Sequence, residues 1–477
     1  MKNLIYILIF FPGVLFSQPS TSGPGSRVTV SNATQLTGLS LDSCLNLAVR
    51  NNFRIKQAAS EVAQSEQLKK SAFTNYFPKV NAGFSAVKMS DYLIKSSIPQ
   101  MNLPVYDGNP VNLRTATQFA YFPGLSLNLV DYMNLGYAMA AQPIFTGGRI
   151  FYGNKLAGTG YEISQQKKSM TETEVMVRTE ELYWTTLSLM EKLGTVDSYQ
   201  KLLDTLNRDV TAALNAGLVK RNDLLKVRLK QNELEENRRK LTEGIELSKK
   251  ALCQHIGIPY DNSLGLTDTV GTMVNPLQIV VDPDLAVRNR NEYKMLEKAV
   301  HAEKLQKKMV MGEYLPQVSV GVAGVYTDVM DKTDELGIAF ATVSIPISDW
   351  WGGSHKIRQS QAKVESAGYR LQETGELLSL QITQVQNELN QNFFHIGYAE
   401  KSLNLAQENL KITRDNYDAG TAGMSELLEA QSVLEEALNN LTEAKCNYQI
   451  SLAKYKQAIN DYDRQYWKQR DSNAFFR

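Results

Sequence analysis

The chain has 477 residues, 43% hydrophobic and 21% charged, and a formal net charge of +1. That length exceeds what one ordinary core usually serves, and the composition excludes a disordered chain. The near-neutral balance gives no basic face for a nucleic-acid partner, so none is expected.

Lys2 precedes a short apolar run, Leu4 to Phe16, which ends at Ser17-Gln18. A basic start, an apolar core and a small-residue boundary form the layout of a secretory signal peptide over residues 1–17. A membrane anchor is the alternative, but a spanning helix needs roughly 20 apolar residues. Residues 18–40 read as a flexible segment. Cys44, Cys253 and Cys446 lie far apart in helical patterns, which points to buried free thiols rather than a disulfide framework.

The sequence then repeats. Ala48-Val49-Arg50-Asn51 recurs at residues 286–289, an offset of 238, and Tyr76-Phe77-Pro78-Lys79-Val80 matches Tyr314-Leu315-Pro316-Gln317-Val318 at the same offset. Farther on, Gln142-Pro143-Ile144 matches Ile345-Pro346-Ile347 at an offset of 203, and so do Ala216-Gly217 with Ala419-Gly420 and Asp223-Leu224-Leu225 with Glu426-Leu427-Leu428. The chain therefore reads as two repeats, 41–258 and 284–461, joined by a Pro- and Gly-rich linker at 259–283 and followed by a tail at 462–477. The first repeat carries an insertion, placed at 96–124 by its Pro, Gly and Asn content, which suits an exposed loop.

Each repeat opens with a helical segment, about 41–75 and 284–313, that ends before Pro78 or Pro316. Alternation follows: Val318, Val320 and Val322 face one way, and Ser319, Gly321 and Ala323 the other. The strand pairs fall near 79–88 with 127–144, and from 318 with a return strand near 337–347. About ten residues per strand suits a tilted membrane crossing; a soluble hairpin would show the same alternation. A Gly-Gly pair comes next in each repeat (Gly147-Gly148, Gly352-Gly353), then a very long helix. The second runs to Asp418 without proline, with a heptad-like seam through Leu378, Ile382, Leu389, Ile396 and Tyr417, so it packs on other helices. Both long helices break at Ala-Gly and resume at Asn222 or Ser425, each a candidate cap. The fold class is mainly α with a small β part: tandem helical hairpins and strand pairs. Four strands cannot close a membrane barrel, and open edges are not tolerated in lipid. If the strands span a bilayer, several chains must share one barrel.

This arrangement resembles the TolC-like outer membrane efflux protein family (outer membrane factors), from about Leu39 to Asp461. The tips carry the resemblance most specifically: Ala216-Gly217-Leu218-Val219 and Ala419-Gly420-Thr421-Ala422, each followed by an acidic residue and Leu-Leu. The resemblance implies a homotrimer whose 12-stranded transmembrane β-barrel sits in outer-membrane lipid and whose α-barrel reaches across the periplasm. It further implies a passive exit duct of a tripartite efflux or type I secretion system. The tips would dock a periplasmic adaptor (membrane fusion) protein, which connects to an inner-membrane pump; the docking positions are Gly217, Leu218, Val219, Gly420 and Thr421. Glu426 and Glu429 match an acidic pore constriction, though two glutamates on a solvated helix face would show the same spacing. Asn222, Asp223 and Tyr417 are gate candidates. The family's Arg latch position holds Ala422 here. A soluble periplasmic coiled-coil scaffold is the competing reading.

No enzyme is expected. His255, His301, His355 and His395 stand at no recognised metal spacing, and no phosphate loop or nucleophile elbow is present. Hence no metal or cofactor is expected.

Overall fold

The computed structural model describes residues 38–269, 273, 275–329 and 332–461. The expected signal peptide at 1–17, nearly all of the 18–40 segment and the tail at 462–477 lie outside the described residues. The described chain is mostly helical with a small share of strand.

The first elements are helices α1 (Leu41–Asn51) and α2 (Phe53–Phe73). A single helix was expected here. The break is at Asn52, whose backbone is extended (φ −59°, ψ 130°). Its buried side chain accepts from the Arg54 N–H at 2.8 Å, which caps α2, and donates to the His255 carbonyl at 2.8 Å. The second repeat breaks at the position 238 residues on. Helices α5 (Pro283–Asn289) and α6 (Asn291–Glu313) flank Arg290, again extended (φ −66°, ψ 141°). Asp282 and Pro283 start α5 as cap and first residue: the Asp282 carboxylate accepts from the Asp284 N–H at 2.9 Å. Arg290 is buried and donates to Glu292 at 2.6 Å and to the Gln381 side-chain oxygen at 2.9 Å.

The main sheet has four antiparallel strands: β1 (Lys79–Lys88), β6 (Tyr132–Thr146), β7 (Gln317–Val329) and β8 (Lys332–Ser344), in the order β1-β6-β7-β8. Register places Val80, Ala140, Val322 and Ala339 in one row across the sheet, and the next such row to one side begins with Ala82 and Ala138. Period-2 pleating then puts Val80, Phe84, Val320, Val322 and Val343 on one face, all of them exposed on the single chain. β1 and β8 have one unpaired edge each among the described residues.

Between β1 and β6 lie four short strands: β2 (Ile94–Ile98), β3 (Met101–Pro104), β4 (Phe119–Phe122) and β5 (Leu125–Leu129). β2 pairs with β5, and β3 with β4. The stretch read from its composition as a loop is thus a two-tier ribbon. Ile94 faces Leu129, Ser96 faces Leu127 and Ile98 faces Leu125, which gives one largely apolar side.

β6 passes through Gly147 and Gly148, both left-handed, into α3 (Arg149–Asn215). Glycine is required at 147, because an added Cβ would lie 2.1 Å from the Gly312 carbonyl oxygen. The corresponding Gly352-Gly353 pair is not a turn. It lies within the first residues of α7 (Trp350–Asp418), where Gly353 makes room for the Tyr314 ring. Trp350 Nε1 donates to the Tyr314 carbonyl at 2.9 Å, while Trp351 is exposed. α3 and α7 have 67 and 69 residues, or roughly 100 Å each at 1.5 Å per residue. They return as α4 (Arg221–Ile256) and α8 (Met424–Ala458). α3 packs on α4, α7 on α8, and α3 on α8, which joins the two hairpins side by side. α2 and α4 therefore lie in tandem along α3, and α6 and α8 along α7.

The described residues of the 259–283 segment pack into the protein rather than standing off as a bare linker. Leu264 is buried, Leu39 bridges Leu266, and the Asp268 carboxylate accepts from Tyr183 Oη at 3.0 Å and the Leu41 N–H at 2.7 Å. Cys44 and Cys253 belong to the same core; all three cysteines are buried free thiols. Burial pushes the Cys44 and Cys446 thiols up to about 12. No described helix is long and apolar enough to cross a membrane.

Candidate functional site at the helical tips

Both long helices end in the same hydrogen-bonded turn, at positions 203 residues apart. In the first, the Leu218 N–H donates to the Ala213 carbonyl and the Gly217 N–H to the Leu214 carbonyl, both at 2.9 Å. In the second, the Thr421 N–H donates to Asn416 at 2.9 Å and the Gly420 N–H to Tyr417 at 3.0 Å. This is the Schellman pattern, which satisfies carbonyls that the helix end leaves open. The glycines take φ +74° and +75°. An added Cβ at either would meet nothing within 4 Å, so left-handed geometry selects glycine here and crowding does not.

The turn fixes what the tips present. Leu218 is 79% exposed, and Thr421 is also exposed. Val219 is half-buried and folds back onto the core of Val196, Leu203, Leu224, Val227, Met424 and Leu428.

The expected caps are displaced. The cap positions are Lys220 and Gly423, neither with a side-chain bond, and Asn222 and Ser425 lie inside the first turns. Both new helices instead begin with an acid in the first turn, Asp223 and Glu426, where the helix dipole favours negative charge. Ser425 has another role: its hydroxyl accepts from Lys226 Nζ at 2.7 Å and so links the two tips.

Of the gate candidates, Tyr417 and Asp223 come together. Tyr417 is half-buried against the tip core, and burial raises its hydroxyl pKa with help from Asp223, Asp418 and Asp209. Asn222 is exposed. Ala422 supplies no latch, but Arg414, one turn before Tyr417, lines a cavity of about 240 Å³ with Asp209, Tyr417 and Asp418. Sequence reading passed over Arg414 because it looked only past the glycine.

Glu426 and Glu429 are both exposed on α8, while Met424, Leu427 and Leu428 between and beside them are buried in the chain's own core. Among the described residues neither carboxylate has an ion-pair partner. The pair thus forms an uncompensated acidic face one turn above the tip.

A second exposed stripe, unread in the sequence, runs along α7: Leu377, Leu380, Phe394, Tyr398, Leu405 and Ile412. Its steps are three, four, seven or fourteen residues, as in a helix-packing seam. Leu225, Leu229 and Leu247 are exposed on α4, at the other side of the four-helix row.

Residues 283–461 match the outer membrane efflux protein family. No curated protein sequence matches the chain. Among solved structures, the CmeC outer membrane channel of Campylobacter jejuni superposes with a TM-score of 0.70 at 15% identity, covering 88% of this chain and 85% of CmeC. The outer-membrane channel OprN gives 0.70 at 12% identity, covering 88% and 89%. The MtrE outer membrane channel of Neisseria gonorrhoeae gives 0.66 at 12%, covering 88% of each chain.

Proposed function

We propose a passive exit duct rather than an enzyme for this chain, whose residues 283–461 match the outer membrane efflux protein family and whose fold is similar to that of outer-membrane channels. Three copies would place twelve strands in the outer membrane and a helical tube in the periplasm. The two repeats, 41–258 and 284–461, each supply two strands and one long hairpin. The observation that carries this reading is the incompleteness of the single chain. Its sheet is open at β1 and β8, and an open edge cannot remain in lipid. Its α7 stripe and the α4 leucines also need partners. Further copies in closed symmetry answer both needs at once. A soluble coiled-coil scaffold would account for the stripe but leaves the apolar sheet face and its edges without a role.

The tips are the docking end. Gly217, Leu218, Val219, Gly420 and Thr421 form two like turns that meet a periplasmic adaptor, through which an inner-membrane pump is reached. Glu426 and Glu429 from three chains bring six carboxylates round the axis, a field that attracts cations. Tyr417 and Asp223, with Arg414 close by, take the place of the Arg latch, whose position holds Ala422, in keeping the two tips together.

Planar-bilayer recording of the purified chain tests the duct and the constriction separately. Discrete conductance steps with cation preference are expected. Glu426→Gln with Glu429→Gln should keep the steps and reduce the preference. Unchanged selectivity would remove the acidic constriction, and absence of conductance would remove the duct.

A further inference from the structure

Away from the tips, a cavity of about 440 Å³ opens between α3, α7 and α8. That volume lies within the roughly 300–1,000 Å³ common for small-molecule sites. One wall carries a buried polar atom without a hydrogen-bond partner, the side-chain oxygen of Gln431, a residue only 6% exposed. Buried polar groups are nearly always paired, so an unpaired one needs an explanation. On the facing wall, burial raises the pKa of the Tyr199 hydroxyl, and Ser432 opposes that rise.

The rest of the lining is one-sided in charge. Glu191 and Glu435 contribute carboxyl groups, and no lysine or arginine lines the cavity. Glu435 is half-buried, and burial raises its carboxyl above the usual range, with Lys230 of α4 opposing. Lys230 is itself bonded to Glu233 at 3.1 Å, and Lys192 beside Glu191 pairs with Glu443 at 2.6 Å. Leu202, Leu410, Leu434 and Leu438 make the remaining surface apolar. Gly194 keeps the space open, since a Cβ there would meet nothing within 4 Å.

We infer that this cavity binds a small organic cation with an apolar body, its ammonium group held by Gln431 and Glu435, one turn apart on α8, and its hydrocarbon by the four leucines. The acceptors match a donor that carries positive charge. They do not match an anion, which would face two carboxyls, or a plain hydrocarbon, which would leave Gln431 unpaired. Because α3 belongs to the first hairpin and α7 and α8 to the second, the ligand bridges the seam between them. The site stands on the cavity itself and does not depend on whether the chain conducts.

Calorimetric titration of the full chain in detergent, with 4-phenylbutylammonium, 4-phenylbutanol and 4-phenylbutyrate as probes, tests this. The ammonium should bind saturably, one per chain, at least tenfold tighter than the alcohol, with no binding of the carboxylate. Gln431→Leu and Glu435→Gln should each weaken it at least tenfold. Gly194→Leu fills the space without backbone strain and should abolish binding while the thermal midpoint holds or rises. Equal heats for ammonium and alcohol would signify detergent partitioning and overturn the inference. An unchanged affinity in Gly194→Leu would overturn it too, even if the polar variants failed to fold.

Discussion

Replacing Gly217 by alanine isolates one physical quantity, the cost of left-handed backbone for an L-residue. Gly217 sits at φ +74° with open space where a Cβ would go, and alanine retains the N–H that bonds Leu214. The strain is about 1–2 kcal/mol, and the stiffer unfolded chain returns about 0.4–1 kcal/mol, so a net loss near 1 kcal/mol is expected. Gly257, the cap of α4, has nearly the same φ, +71°, but its Cβ would lie 2.6 Å from the Asn51 Cβ and 3.3 Å from the Asn51 carbonyl. Backbone there cannot step aside, and overpacking adds about 1–3 kcal/mol. Gly257→Ala should therefore lose about 2–4 kcal/mol, clearly more than Gly217→Ala. The assay is urea unfolding followed by tryptophan fluorescence, at matched protein and detergent concentrations because assembly couples stability to concentration. Equal midpoint shifts, or a larger shift for Gly217→Ala, would refute the distinction between conformational and steric glycines. Gly217→Ala also leaves the tip folded, so it separates tip chemistry from stability in any docking assay.

Two further outcomes concern the interior. His255 Nε2 lies 3.1 Å from the Val175 carbonyl, and burial lowers its pKa below the ordinary 6.5; the unfolded chain then binds the extra proton, so stability is present above about pH 6.5 and falls as pH drops through and below that value. His255→Gln should flatten the urea midpoint between pH 7 and 5, and an unchanged slope would contradict this. Arg290→Ala leaves the carboxyl of Glu292 facing burial without its guanidinium, which is what holds its pKa below the usual value. A loss of about 2–3 kcal/mol is expected, toward the low end for a broken buried pair because a third of the Glu292 side chain is exposed. Urea unfolding of the variant checks it, and a loss under 1 kcal/mol would show the pair to be ornamental.

Some of this was legible in the residues and some was not, for physical reasons. The offsets of 238 and 203 land on matching backbone features, the helix breaks at Asn52 and Arg290 and the turns at Gly217 and Gly420. The long helices, the strand after each proline and the glycine turns follow from local rules of period, ring closure and φ. The breaks themselves were missed because neither Asn52 nor Arg290 is a breaker by propensity. Each is held by a partner distant in sequence, the His255 carbonyl in one case and Gln381 in the other. The ribbon of β2–β5 was missed because strands of four or five residues between turn-forming residues read as loop. The caps slipped by two residues because Asn222 and Ser425 have cap chemistry but the helices begin earlier, without a side-chain bond. At the tips, the place of Arg414 in one cavity with Asp209 and the Lys226–Ser425 link were invisible because both bring together residues of helices that the sequence does not say are neighbours.

The central claim is that the chain is complete only as a ring of copies. The direct measurement is the mass of the particle extracted from membranes in mild detergent, with the detergent contribution subtracted by light scattering. The account predicts three chains per particle, recovered from the outer-membrane fraction. A monomer, or a soluble dimer outside that fraction, would contradict it, because the open edges of β1 and β8 and the α7 stripe would then have no partner of the kind the duct requires.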